Sequence, residues 1–125
     1  YGVEVVKEAI EDAKQNAQLN EFENTTFVCG KAEDVILQWK QEGVHPDVVM
    51  VDPPRKGCDE TFLNTLLALE PKKIVYISCN PSTQQRDAQI LATKYNLTQI
   101  TPVDMFPQTT HVETVALFER LTSNE

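Results

Sequence analysis

The segment Ile74-Val75-Tyr76-Ile77-Ser78-Cys79-Asn80-Pro81 constrains this chain more than any other. Its first half is β-branched and aromatic, the composition of a buried strand. The strand stops at a cysteine, and the chain restarts as a helix at a proline. Pro81 suits a first helical turn, and Asn80 before it has the side chain of an N-cap. Cys79 then stands at the carboxyl end of a strand, facing a helix N-terminus. In an open α/β sheet, ligands bind along that edge. The positive end of the helix favours a thiolate, which makes Cys79 a candidate nucleophile. The bland alternative is a buried, inert thiol, the ordinary state of a lone cysteine.

Around this segment strands alternate with helices. Val3–Val6 reads as a short strand, and Val6, Ala9, Ile10, Ala13 and Ala17 follow at helical spacing to about Leu19. Thr25–Cys29 is a second strand, Ala32–Gln41 a helix stopped by Gly43, and Asp47–Val51 a third, almost wholly apolar strand. Two prolines make residues 52–57 a loop, and Asp59 caps a helix to about Leu69. After the Ile74–Ser78 strand, a helix is expected from Pro81 to about Tyr95. Strands at Leu97–Val103 and Val112–Glu119 follow, around a Met105–His111 loop and before a frayed tail. Alternation of this kind predicts a doubly wound α/β sheet. The last two strands, with no helix between them, are expected as an antiparallel pair at one edge.

At 125 residues the chain is one domain or part of one. Cys29, Cys58 and Cys79 are odd in number and widely spaced, which argues against a disulfide framework and for a reducing, cytoplasmic setting. Neither a Cys-x-x-Cys pair nor a histidine cluster suggests a metal site. No apolar run approaches the length of a membrane span. A net charge of −8 counts against this segment alone gripping a phosphate backbone.

Three further positions carry chemistry. Glu4 stands near the end of the first strand, where an acidic residue binds the ribose hydroxyls of a nucleotide cofactor. A surface glutamate beside a helix start is the alternative. A glycine-rich loop, the usual companion of such a residue, is missing, as if the chain were cut just after it. Asp52-Pro53-Pro54 places a carboxylate at a strand terminus on a stiff loop. Methyltransferases acting on exocyclic amines use a related turn followed by an aromatic residue. Here Arg55 follows, a guanidinium suited to phosphate or a carbonyl edge, or to an ion pair with Asp52 or Glu113. Glu113 enters an apolar strand, where desolvation raises a carboxyl toward the general-base range, unless it points to solvent. His111 is more simply a hydrogen-bonding loop residue; Cys29, Cys58 and Lys56 read as structural or solvated.

In order and spacing, Asp52-Pro53-Pro54-Arg55-Lys56-Gly57, Ser78-Cys79-Asn80-Pro81 and His111-Val112-Glu113-Thr114-Val115 resemble the uracil-C5 RNA methyltransferases. Gly2–Val6 with Ala13 and Asn16-Ala17, and Gly30-Lys31-Ala32-Glu33, are similar to that family's second strand and helix and to its next turn. The resemblance covers essentially the whole chain. It implies a Rossmann-like class I methyltransferase fold, with S-adenosyl-L-methionine as methyl donor and RNA as substrate. By resemblance Cys79 is the nucleophile and Glu113 the base. Glu4 is a ribose ligand, Lys31 or Ala32 lies near the adenine, Asp52 lies near the cofactor's methionine or the substrate, and Arg55 orients RNA. Lys56-Gly57-Cys58-Asp59 tilts the resemblance toward the 23S rRNA branch rather than the tRNA branch.

The family's first strand, glycine loop and N-terminal RNA-binding domain have no counterpart here. The resemblance therefore implies the C-terminal portion of a methyltransferase domain, inactive by itself, whose basic surface lies elsewhere. The absent strand would lie between those near Val3 and Val49, so either Val3–Val6 shifts to close the sheet or a second copy fills the gap.

Overall fold

The computed structural model describes residues 1–103 and 113–121. Two compact units divide the chain, Tyr1–Val44 and His45–Glu125. In the first, β1 (Gly2–Glu4) and β2 (Phe27–Cys29) run parallel, with Gly2 beside Phe27 and Glu4 beside Cys29. Helix α1 (Lys7–Leu19) makes the crossover and buries Ile10 and Ala17. Helix α2 (Ala32–Gln41) buries Val35 and Ile36 and ends before Gly43. Its limits match those read from its apolar spacing.

The second unit holds a four-stranded sheet in the order β3 (Val48–Val51), β4 (Lys73–Ser78), β6 (Glu113–Arg120), β5 (Tyr95–Val103). β3 and β4 are parallel; β6 is antiparallel to both β4 and β5. The expected antiparallel pair is present at one edge, with β5 outermost. Pro102 is tolerated there because an edge strand can spare a donor. Helix α3 (Glu60–Leu69) is capped by Asp59, whose side chain accepts from the Thr61 N–H at 2.9 Å. Helix α4 (Pro81–Leu91) follows β4 directly. The core consists of Leu63 and Leu66 from α3, Ile74 and Tyr76 from β4, Leu91 from α4, Tyr95 from β5, and Ala116 and Phe118 from β6.

Two expectations change. Helix α4 ends at Leu91 rather than near Tyr95. Tyr95 lies at helical spacing from Leu91, but it opens β5 as a buried residue whose hydroxyl donates to the Pro71 carbonyl at 2.6 Å. The described strands also form two sheets, β1-β2 and β3-β4-β6-β5, where a shift of Val3–Val6 is expected to close one. The Met105–His111 loop, Val112 and the tail after Leu121 lie outside the described residues.

Candidate active site

The β4–α4 turn is built by short-range hydrogen bonds. The Ser78 hydroxyl accepts from the Asn80 N–H and donates to the Asn80 carbonyl, each at 2.9 Å, which holds the turn around Cys79. The Asn80 side chain accepts from the Ser82 N–H at 3.1 Å, and Pro81 occupies the first helical turn, as its fixed φ favours. Cys79, half-buried, thus sits between a strand's carboxyl end and a capped helix start.

Glu113 arrives at the same end of the sheet through pairing. β4 and β6 run in register from Lys73–Glu119 to Ser78–Thr114. That last pair leaves Cys79 one residue beyond the end of β4 and Glu113, the half-buried first residue of β6, one residue before Thr114. Side chains alternate along β4, with Ile74, Tyr76 and Ser78 buried and Val75 and Ile77 half-buried. Cys79 and Glu113 flank the end of this alternating stretch. Gln84 of α4 ties the two strands together, its amide donating at 3.3 Å to the Tyr76 and Thr114 carbonyls.

The 52–58 loop leaves β3 and is fastened to α4. Gly57 N–H donates to the Pro54 carbonyl at 2.9 Å and closes a turn. The Arg55 carbonyl accepts from Asn80 Nδ2 at 3.1 Å and Thr83 Oγ1 at 2.9 Å, and the Lys56 carbonyl from Arg86 Nη2 at 2.8 Å. The Cys58 N–H donates to Asp87 Oδ2 at 2.8 Å. Asp52 and Arg55 are exposed on this loop, Asp52 immediately after β3. Sequence reasoning missed the anchor, Asp87. The available signal was a carboxylate on the buried stripe of α4, three residues after Gln84 and four before Leu91.

Burial, and then the Asp87 charge, push the Cys58 thiol up to about 12. Burial and the hydrogen bond to Asp87 raise the Tyr76 hydroxyl strongly as well. Cys58 is therefore a neutral packing thiol, as its sequence context suggests.

In the first unit, Glu4, Lys31 and Ala32 meet at one edge. Glu4 ends β1 opposite Cys29, its carbonyl accepts from the Gly30 N–H at 3.0 Å, and its exposed carboxylate accepts from the Val6 N–H at 3.3 Å. Lys31 is the N-cap of α2 and Ala32 its first residue. An exposed carboxylate acceptor and a helix start, both at the carboxyl ends of two parallel strands, are groups that fit a nucleoside.

Residues 1–121 match the family model described as tRNA (uracil-5-)-methyltransferase. The chain belongs to that family. It is 80% identical over 118 residues to a Staphylococcus aureus protein named as an uncharacterized RNA methyltransferase, covering 94% of this chain and 26% of that protein. A Staphylococcus epidermidis protein of the same name is 78% identical over 120 residues, 96% of this chain and 26% of its own length. The chain thus spans about a quarter of these relatives. The crystal structure of Pyrococcus abyssi tRNA (uracil-54, C5)-methyltransferase in complex with S-adenosyl-L-homocysteine superposes with a TM-score of 0.79. Identity is 35%, with 94% of this chain and 28% of that one covered. Family membership makes the expected methyltransferase fold concrete. Among the described residues no group of His, Cys, Asp and Glu could hold a metal ion, and no helix is long and apolar enough to cross a membrane.

Proposed function

We propose that the chain is the C-terminal part of the S-adenosylmethionine-dependent catalytic domain of an enzyme that methylates C5 of a uridine in RNA. Cys79 is the nucleophile and Glu113 the base. The observation that supports this reading is the β4–β6 register, whose last pair, Ser78–Thr114, stands one residue from Cys79 and one from Glu113, two groups distant in sequence.

Uracil C5 is a weak nucleophile. Addition of the Cys79 thiolate to C6 opens the C5–C6 double bond and drives its electron pair toward C5 and O4. S-adenosylmethionine, when bound, supplies an electrophilic methyl group on a sulfonium. Once C5 carries the methyl group, the Glu113 carboxylate takes the C5 proton. The C5–C6 double bond re-forms, and the Cys79 sulfur departs as thiolate. Glu4 would hold the ribose hydroxyls, Lys31 or Ala32 the adenine, and Asp52 the methionine portion or the base. Arg55 orients the RNA from its rigid loop, and the target base is unstacked to reach Cys79.

The Lys56–Asp59 stretch favours 23S rRNA as substrate. A specific observation favours tRNA as a second reading: the family description and the Pyrococcus relative both name it. With a net charge of −8, the segment leaves most RNA contact to other parts of the longer protein, which acts in the cytoplasm. The 125 residues alone should show no S-adenosylmethionine binding by calorimetry, whereas the longer protein binds it.

The decisive test uses the full-length protein with 5-fluorouridine-substituted 23S rRNA and tRNA. Fluorine replaces the proton that Glu113 must remove, so a denaturation-stable adduct accumulates on the RNA that is the substrate. Cys79→Ala should abolish both turnover and adduct. An adduct that persists in that variant overturns the assignment.

A further inference from the structure

We propose that Asp87 is a positioning residue for the reaction, setting the Arg55 loop relative to Cys79. This rests on the roles given to those two residues above. Asp87 is 0% exposed, in the interior of α4. Its carboxylate is a junction of three elements. Oδ2 accepts from the Tyr76 hydroxyl at 2.5 Å and from the Cys58 N–H at 2.8 Å. Oδ1 accepts from Arg86 Nε at 3.2 Å and Nη2 at 3.0 Å. Tyr76 lies on β4, three residues upstream of Cys79. Cys58 closes the loop that carries Arg55. Arg86 itself donates to the Lys56 carbonyl.

A buried carboxylate is costly to desolvate, and apolar packing would stabilise a core at least as well. What this carboxylate does that packing cannot is fix direction. It takes one hydrogen bond from the strand of the nucleophile and one from the loop backbone. Gly57 shows how little slack remains. A Cβ there would lie 2.5 Å from Arg86 Nη2 and 2.8 Å from Asp87 Oδ2. The loop thus packs on α4 too closely to admit a Cβ without a shift. Small misplacements of groups around a reacting centre cost about 10²-fold in rate. In Asp87→Asn the side chain keeps its shape, but one oxygen becomes an NH2 that faces donors. Either the Cys58 N–H and Tyr76 hydroxyl or the Arg86 guanidinium then loses its acceptor.

The test compares wild type, Asp87→Asn, Arg55→Ala and the double variant of the full-length protein. It measures single-turnover adduct formation on 5-fluorouridine RNA at saturating RNA and cofactor. Asp87→Asn should slow adduct formation by about 10- to 100-fold. Its affinity for RNA should stay within about 3-fold of wild type, because no group that touches RNA has been removed. The loss should vanish in the Arg55→Ala background, since Asp87 acts through that loop. A residue that only stabilises the core would leave the rate per folded molecule unchanged, or lower it equally in both backgrounds, and either result overturns the proposal. Should Asp87→Asn fail to fold, Thr83→Val carries the test. It removes the hydroxyl that donates to the Arg55 carbonyl at 2.9 Å and to the Asn80 carbonyl at 3.2 Å. It should slow the same step several-fold in wild type and not in Arg55→Ala, and a wild-type rate refutes the proposal. Absence of adduct in wild type, or its persistence in Cys79→Ala, overturns the reading of the site and this proposal with it. Adduct in wild type at an unchanged rate in Asp87→Asn overturns this proposal alone.

Discussion

Replacing Gly57 with alanine separates two costs that usually travel together. Gly57 and Gly43 both have φ +86°, a conformation that L side chains rarely adopt. The surroundings differ: a Cβ at Gly43 meets nothing within 4 Å, whereas one at Gly57 meets the Arg86–Asp87 pair and Thr83. The left-handed backbone penalty is about 1–2 kcal/mol at either site. Alanine's smaller unfolded-state entropy offsets roughly 0.4–1 kcal/mol of it. Gly43→Ala should therefore cost about 0–1.6 kcal/mol. At Gly57 the loop must also move away from α4, which breaks the Cys58 N–H bond to the buried Asp87 carboxylate. A hydrogen bond to a charged group contributes about 1.5–3 kcal/mol, so Gly57→Ala should cost about 3 kcal/mol in total. Amide hydrogen exchange reads each unit separately, over Ala32–Gln41 for Gly43→Ala and over Lys73–Ser78 for Gly57→Ala. If Gly57→Ala loosens its unit no more than Gly43→Ala loosens the other, the tight coupling of loop to helix is wrong.

Removing the α3 cap with Asp59→Ala deletes the 2.9 Å bond to the Thr61 N–H, and urea unfolding should show a loss of about 1 kcal/mol; an unchanged midpoint would count against the cap. Alkaline pH should weaken the second unit through Cys58. Its thiol titrates near 12 in the fold against 9.0 without it, so its contribution is complete below pH 9 and declines as pH rises toward 12. The slope is about 1.4 kcal/mol per pH unit over that window. Cys58→Ser removes that titration, leaving the share of Tyr76, and should flatten the stability profile between pH 9 and 11; parallel profiles for the two proteins would refute it.

Local chemistry was legible in the sequence wherever a structural decision is made within a few residues. Asn80-Pro81 and Asp59 announce helix starts, and both caps form. Ala32–Gln41 has its stripe and its glycine stop in adjacent positions. The Leu91–Tyr95 stretch was misread because four-residue spacing of apolar side chains satisfies a helix and also satisfies a helix end followed by a buried strand start. What decides is a partner distant in sequence, the Pro71 carbonyl that receives the Tyr95 hydroxyl. Asp87 was illegible for the same reason. Its partners are Tyr76, Cys58 and the neighbouring Arg86, and the first two lie on other elements. A polar residue on an apolar stripe reveals that something must satisfy it, though not what.

The proposed pairing of Cys79 with Glu113 depends on a property that no motif spells out. Each residue stands just inside or just outside a strand end, and each could face either side of the sheet. Side chains repeat with a period of two, so a one-residue slip of β6 along β4 would move Glu113 to the face that holds Tyr76 and Ser78. What forbids the slip is distant from the site: Ala116 and Phe118 are buried beside Tyr76 and Ile74, while Leu117 and Val115 remain half-buried opposite Val75 and Ile77. Slipping by one would expose the two buried side chains and bury their neighbours, at a cost of about 1.5–3 kcal/mol for the phenylalanine alone. The apolar alternation of β6 thus aims a carboxylate three residues ahead of its first buried side chain. That explains why the short run from His111 to Val115 carries meaning only together with the strand that follows it.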